Sequence, residues 1–211
     1  MSSNPEMENM FGKALHDHLD IVRRMEAHVP LLAAIAQAMT SALRAGGKIL
    51  WCGNGGSAAD SQHLSAELVG RFRRHRRGLA SIALTTDSPT MTSVANDYGF
   101  EAVFARQVEA LANSGDVLMA ISTSGNSPNV IAALRTARAQ GLITVAFTGQ
   151  GGGKIAPLAD YVFSVDSKDT ARIQEAHMLA GHMLCDWIEL DSVTAETGAS
   201  SEVEIKTEAA K

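Results

Sequence analysis

The feature of the sequence that most constrains its fold is an alternation of short apolar runs with helical segments after residue 47. Five runs are predicted to be strands, at 48–52, 79–84, 117–122, 142–147 and 161–165. Each is continuously apolar, which is typical of parallel strands buried on both faces. Strands that alternate with helices form a parallel sheet covered by helices on both sides. The sequence therefore predicts an α/β fold, a three-layer αβα sandwich around a five-stranded parallel sheet.

Helices flank this alternation at both ends. Residues 1–47 contain a predicted amphipathic helix over 6–28, because Met10, Leu15, Leu19, Val22 and Met25 recur every three to five positions. A second, Ala-rich helix over 31–44 has little polar surface, so we expect this pair to belong to the same domain and to make oligomer contacts. The core domain is predicted to span 48–190 and to end in a helix over 172–190. The tail at 191–211 has no apolar periodicity and is predicted to be disordered.

Length and composition narrow the classes of protein that fit. A chain of 211 residues suits one α/β domain, and a net charge of -5 argues against a general nucleic-acid binder. Cys52 and Cys185 form neither a CxxC pair nor a disulfide framework, which indicates a reducing compartment. The sequence shows neither the pattern of a signal peptide nor an apolar stretch long enough for a membrane span. We therefore expect a cytoplasmic protein with no membrane contact, in which Cys52 is a small buried apolar residue.

Two loops at predicted strand ends have the composition of an anion site. Gly-Asn-Gly-Gly-Ser at 53–57 and Ser-Thr-Ser-Gly-Asn-Ser at 122–127 each lead directly into a predicted helix. Glycines expose backbone N–H groups, and a helix N-terminus adds partial positive charge. The alternatives are a tight connection for the first loop and helix capping by Ser127 before Pro128 for the second. Neither loop matches the GxxxxGK[ST] or GxGxxG patterns of nucleotide sites.

Candidate chemical groups lie on two predicted helices. His63 and Glu67 are four residues apart, and Gln174 and His182 are eight apart, so each pair lies on one side of its helix. Two imidazoles, a carboxylate and an amide could perform acid–base chemistry or bind a metal. Spacing alone does not separate these residues from Glu175, His177 and Glu189. The basic run at 71–77 could contact nucleic acid, although a solvated loop or a phosphate-facing arginine fits an acidic protein better.

Four short segments carry a resemblance to a known family. Cys-Gly-Asn-Gly-Gly-Ser at 52–57, Asn-Asp-Tyr-Gly at 96–99, Ser-Thr-Ser-Gly-Asn-Ser at 122–127 and Arg-Ile-Gln-Glu at 172–175 resemble the sugar isomerase (SIS) family. The likeness is greatest to its phosphoheptose isomerase branch. It implies a flavodoxin-like fold and a homotetramer with sites between subunits. It also implies interconversion of sedoheptulose 7-phosphate and D-glycero-D-manno-heptose 7-phosphate through a cis-enediol, for bacterial heptose and lipopolysaccharide synthesis.

The resemblance also implies a role for individual positions. Glu67 matches the general base and His182 the opposing acid–base group, and both match ligands of one zinc ion per subunit. The remaining ligands match His63 and Gln174. Substrate contacts match Asn54, Gly55, Gly56, Ser57, Glu67, Arg71, Asn96, Asp97, Ser122, Thr123, Ser124, Ser127 and Gln174. Ala171 departs from the pattern, because some relatives place there an Asp that reaches the substrate.

Two other functions stay open at this point. Some SIS proteins are not enzymes and bind a replication-initiator protein, and Ala171 resembles that group. Those proteins lack the carboxylate and imidazole found here at Glu67 and His182, which favours an enzyme. The second alternative is an isomerase that acts on another phosphosugar, because the loops mainly recognise phosphate.

Overall fold

The sheet has five parallel strands in the order β2-β1-β3-β4-β5. The structure, a computed structural model, describes residues 4–197. This strand order is the flavodoxin-like one, and it confirms the predicted three-layer sandwich. The strands are β1 (Ile49–Gly53), β2 (Ser81–Ala83), β3 (Val117–Ser122), β4 (Ile143–Thr148) and β5 (Tyr161–Ser164).

Seven α-helices surround the sheet within residues 4–197. They are α1 (Pro5–Arg24), α2 (Val29–Arg44), α3 (Gly56–Val69), α4 (Ser88–Tyr98), α5 (Val103–Leu111), α6 (Pro128–Ala139) and α7 (Thr170–Thr197), with short 3-10 turns at Met25–His28, Phe100–Ala102 and Ala156–Leu158. None of the helices in this part of the chain is both long and apolar enough to cross a membrane.

The last helix is longer than the sequence predicted. It continues to Thr197 instead of ending at 190, so the prediction of a disordered tail is wrong for 191–197. Asp191, within the added turns, pairs through Oδ1 with Nη2 of Arg44 in α2 at 2.6 Å. This contact with a neighbouring helix supplies a partner that apolar periodicity alone does not reveal. Residues 198–211 of the predicted tail lie outside the described residues.

Each face of the sheet has its own apolar core. Helices α2, α3 and α7 cover one face, where Trp51, Phe147 and Phe163 are fully buried. Helices α5 and α6 cover the other, packing on alternate strand residues such as Leu50 and Leu118. Cys52 lies in the second core, and its burial raises the pKa of its thiol to about 12, as expected for an unreactive apolar residue.

The prediction for the second strand is wrong in its length and in its burial. Strand β2 spans three residues rather than 79–84, and Ile82 is 36% exposed, because β2 is an edge strand with one covered side. The apolar stripe of α1 is helical as predicted, and most of it is exposed in the single chain. Met10 is 61% exposed and Leu15 66%.

A buried histidine links α7 to the sheet. His177 is fully buried, and its Nε2 lies 3.1 Å from the carbonyl oxygen of Thr148 at the end of β4. Burial disfavours the charged imidazolium and lowers the pKa of His177 from 6.5 to about 4. The native state therefore holds His177 neutral at pH values where the unfolded chain protonates it.

We predict that this histidine makes stability depend on pH. The contribution of neutral His177 to the unfolding free energy is fully present above pH 6.5. It is lost as the pH falls towards 4, which lowers the unfolding free energy by about 3 kcal/mol. In His177→Gln, which keeps a donor near Thr148 but cannot titrate, the unfolding free energy should fall less over this range. Urea unfolding at a fixed protein concentration, repeated across this pH range, measures the slope of unfolding free energy against pH for the unaltered protein and for the variant. Equal slopes would contradict the prediction.

Candidate active site

The two predicted anion loops lie side by side at the carboxyl edge of the sheet. One joins β1 to α3 and the other joins β3 to α6, and these helices cover opposite faces, so the loops flank the topological switch point. Asn54 and Asn129 tie the loops together, because each amide nitrogen donates to the other's amide oxygen at 2.9 Å. The sequence predictions did not include Asn129, which is marked in the sequence only by its place after Pro128 and is buried in the structure.

The second loop gathers hydroxyl groups. Ser122 Oγ lies 3.0 Å from Ser127 Oγ and 3.5 Å from Ser124 Oγ. Ser127 occupies the N-cap position of α6, but its side chain accepts no hydrogen bond from the helix, so the capping interpretation is wrong for its hydroxyl. Gly125, at φ 66°, closes the loop against the backbone of Gly152, where a Cβ would overlap a carbonyl oxygen.

Further along α3, three predicted residues converge from α3 and α7. The Nε2 atoms of His63 and His182 are 2.9 Å apart, and His63 Nε2 lies 3.3 Å from Glu67 Oε1. One ligand atom from each of the three lies within 4.8 Å of the others. The structure thus assembles one carboxylate and two imidazoles from helices that are over a hundred residues apart in the chain.

The register between α3 and α7 is set next to these histidines. Gly181 precedes His182, and Leu64 follows His63. A Cβ built on Gly181 would lie 2.5 Å from Cδ1 of Leu64, whose side chain is fully buried. A side chain at position 181 would have to displace the buried Leu64, so glycine favours the close approach of the two helices next to the two imidazoles.

Gln174 joins the same site from one end of α7. Its amide lies over Gly56, where any Cβ would overlap it, and its Nε2 donates to Asp60 Oδ1 at 3.1 Å. Asp60 is 6% exposed, its Oδ2 has no partner within the described residues, and burial raises the pKa of its carboxyl. The sequence analysis missed Asp60, although it lies three residues before His63 on the same helix side.

The environment of His182 favours its neutral form. Burial is the main cause of a lowered pKa at His182, and the nearby His63 and Arg73 add to it, while Glu67 opposes it. Two imidazole nitrogens that share one hydrogen bond also cannot both carry a proton. A neutral His182 can accept a proton or bind a metal at neutral pH.

The donors fit a zinc ion. Two ligand atoms about 2.0–2.1 Å from a tetrahedral zinc ion lie about 3.3 Å from each other. The separation of His63 Nε2 and Glu67 Oε1 is 3.3 Å, and the two imidazole nitrogens, 2.9 Å apart, would need to separate by a few tenths of an ångström. Two histidines and a carboxylate are a common ligand set of catalytic zinc sites.

Comparison with known proteins decides the family. The model of the SIS domain matches residues 15–149. A phosphoheptose isomerase of Roseiflexus sp. (strain RS-1) is 53% identical over 172 residues, which cover 81% of this chain and 87% of that protein. The chain belongs to the phosphoheptose isomerase family of SIS-domain proteins.

Solved structures of this family share the whole fold. Phosphoheptose isomerase from Neisseria gonorrhoeae has a TM-score of 0.83 and 42% identity, covering 87% of this chain and 99% of that one. The enzyme from Francisella tularensis has a TM-score of 0.82 and 38% identity, covering 90% and 100%. The family resemblance inferred from the four short segments is confirmed.

Not every position that matches the family pattern joins the cluster within this subunit. Asn96 and Asp97 are exposed in the last turn of α4, where Asn96 Nδ2 donates to Asp97 Oδ1 at 2.7 Å. Arg71 is exposed at the start of the loop after α3. Ala171 lines a crevice of about 580 Å³ together with Gln174 and His182. The roles predicted for Asn96, Asp97 and Arg71 therefore stay predictions.

The competing residues have other partners. His18 Nδ1 lies 2.7 Å from Glu175 Oε2, and Arg172 Nη2 donates to Glu175 Oε1 at 2.5 Å. His177 is in the core, and Glu189 accepts hydrogen bonds from backbone N–H groups. The structure thus places His177 and Glu189 away from the crevice, whereas Glu175 lines it together with Gln174 and His182.

We predict strong coupling between Gly181 and Leu64. Gly181→Ala should lower the unfolding free energy by about 1–3 kcal/mol through overpacking, although alanine is the better helix former. Leu64→Ala should cost about 2–5 kcal/mol by leaving a cavity. In the double variant the new methyl group occupies the cavity left by Leu64. The loss of unfolding free energy should therefore be smaller than the sum of the two single losses by about 1 kcal/mol or more. Additive effects in denaturant unfolding would refute the close contact.

Proposed function

We propose that this protein is an aldose–ketose isomerase that interconverts sedoheptulose 7-phosphate and D-glycero-D-manno-heptose 7-phosphate, supplying heptose for bacterial lipopolysaccharide. The observation that carries this proposal is the convergence of Glu67 and His182 from α3, which follows the first loop, and from α7, whose Gln174 lies over Gly56 of that loop. The relatives named phosphoheptose isomerase support the choice of substrate. The cytoplasmic location stays a prediction.

The loops would hold the phosphate without a cationic side chain. Ser122 Oγ lies within 3.5 Å of the hydroxyls of both Ser124 and Ser127, and we assign Thr123, between Ser122 and Ser124 in the sequence, to the same site. The N-termini of α3 and α6 add partial positive charge and N–H donors. We assign the phosphate to the second loop and its helix end. The first loop, Asn54, Gly55, Gly56 and Ser57, would contact the rest of the sugar.

Proton transfer would use the two groups on opposite helices. Glu67, with a side chain 20% exposed, would remove the proton from the carbon beside the open-chain carbonyl and return it to the neighbouring carbon. His182 would move the hydroxyl proton from one oxygen of the enediol to the other. One proton moves from carbon to carbon and one from oxygen to oxygen, so the reaction needs no oxidant.

We further propose that His63, Glu67, Gln174 and His182 hold one zinc ion. The distances among His63, Glu67 and His182 support this assignment, as does the neutral state favoured for His182. When bound, zinc would supply Lewis acidity towards the substrate oxygens. Gln174 would be held in place by Asp60, whose Oδ1 accepts from its Nε2.

We predict that Glu67→Gln lowers kcat by about 10²- to 10⁴-fold while the protein stays folded, because the amide cannot accept the proton. Conversion of sedoheptulose 7-phosphate should be followed with and without added zinc, and bound metal should be measured in the same samples. A variant that loads zinc and keeps near-normal kcat would disprove the role of Glu67.

The matched control is Glu109→Gln, which makes the same change at an exposed ion pair with Arg106. Its kcat should equal that of the unaltered protein. If the unaltered protein forms no aldose product with or without zinc, the proposed reaction is wrong, and a non-catalytic SIS protein becomes the better hypothesis.

We also propose that the protein is a homotetramer with α1 and α7 at its interfaces. Phe11 and Leu15 of α1 are 56% and 66% exposed, and Met183 and Trp187 of α7 are 40% and 47% exposed. Single exposed apolar residues are ordinary, but contiguous apolar helix faces are typical of interaction surfaces. Arg71, Asn96 and Asp97, exposed within one subunit, could then reach the site of a neighbour.

We predict that Leu15→Glu yields smaller particles in light scattering, because a carboxylate in an apolar interface is costly to bury. Arg23→Glu, which places the same side chain at an exposed polar position of α1, is the control and should leave the mass unchanged. A tetramer that persists in Leu15→Glu would remove α1 from the proposed interface.

A further inference from the structure

The basic run at 71–77 forms a loop wrapped around one buried carboxylate. Glu189 of α7 has no exposed surface. Its Oε1 accepts the backbone N–H of Phe72 at 2.8 Å, and its Oε2 accepts those of Arg73 at 2.7 Å and Arg74 at 2.8 Å. Three converging N–H donors on one carboxylate fix the path of the loop backbone.

A buried arginine balances the charge of this carboxylate. The side chain of Arg76 is fully buried, and its Nη2 lies 3.4 Å from Glu189 Oε1. The same guanidinium donates to the carbonyl oxygens of Glu67 and Gly70, both at 2.8 Å. The loop is therefore anchored to the end of α3 that carries Glu67 as well as to α7. A function in nucleic-acid binding does not explain an arginine that solvent cannot reach.

The anchored loop also contacts His182, two turns before Glu189 on α7. The ring of Phe72 is stacked on the imidazole of His182, with ring centroids 5.3 Å apart and planes 14° from parallel. Glu189 lies seven residues after His182, and so on the same side of the helix. The carboxylate that receives the N–H of Phe72 thus holds its ring against the imidazole.

We propose that Glu189 is a positioning residue that acts through Phe72 to fix the plane of the His182 imidazole. The hydrogen bond of His182 to His63 restrains one nitrogen atom, whereas the stacked ring restrains rotation of the whole imidazole. The position of the Phe72 ring does not depend on the proposed function, whereas the effect of that ring on turnover and on zinc binding rests on it. Mutation of a residue that orients a metal ligand typically lowers metal affinity or activity by about 10- to 100-fold.

The position of the ring can be tested by NMR of the metal-free protein with ¹³C-labelled histidine. The Phe72 ring current should displace the ring-proton resonances of His182, which are assigned by their loss in His182→Gln. Phe72→Leu should abolish this displacement, and Phe72→Tyr should keep it. Glu189→Gln should also abolish it, because an amide cannot accept from all three backbone N–H groups.

The matched control is Asp186→Asn. Asp186 lies on the same helix and binds the same loop, but through the guanidinium groups of Arg73 and Arg74 at 3.1 and 2.6 Å. In this variant the His182 resonances should keep the displacement that the Phe72 ring causes. If Glu189→Gln does not fold, Glu189→Asp takes its place, because it keeps a charge for Arg76 but is one methylene too short. A folded Glu189 variant with unaltered His182 resonances overturns the proposal.

Function is measured separately on the same variants. Zinc affinity, determined by competition with a chelator, and kcat should each fall about tenfold or more in Phe72→Leu and in the Glu189 variant. KM should change less, because the phosphate loops are untouched. Displaced resonances in the unaltered protein that vanish in the variants without any change in zinc affinity or kcat would overturn the positioning role. Absence of isomerase activity in the unaltered protein would instead refute the proposed reaction.

Discussion

The site depends on one close contact between two helices. Leu64 of α3 fills the space that a side chain at position 181 of α7 would need. Next to this contact the two helices lie close enough for the imidazoles of His63 and His182 to form a hydrogen bond. Interiors pack too densely to absorb an extra methyl group without movement. The absence of one Cβ therefore sets the separation of groups that belong to distant parts of the chain.

A second constraint concerns how a negatively charged protein can hold a phosphate. The net charge is -5, and the two loops at the switch point contain no lysine or arginine. Under the proposed function, fixed dipoles take the place of charges, because the N-termini of two helices and a cluster of hydroxyls lie at the same edge of the sheet. The paired amides of Asn54 and Asn129 keep the loops in mutual register, so the donors are already oriented before an anion arrives.

The sheet and the loops could be predicted from sequence because local patterns encode them. Continuous apolar runs gave four of the five strands nearly to the residue, whereas β2 is shorter since its edge position could not be seen in a local window. Spacing placed His63 with Glu67, but it could not choose His182 over Glu189. That choice depends on long-range packing, which puts one in the crevice and the other under the basic loop. Asp60 was missed because burial is a tertiary property.

The division of the site between α3 and α7 has a consequence for synthesis of the chain. The strands and both phosphate loops are complete by residue 164, whereas Gln174 and His182 belong to the last helix. A chain that stops before α7 therefore contains all five strands and both anion loops but lacks His182, one of the two groups proposed for proton transfer. Under the proposed function, chemical competence would arise only once α7 has been synthesised, so a copy that stops before α7 would turn over no sugar phosphate.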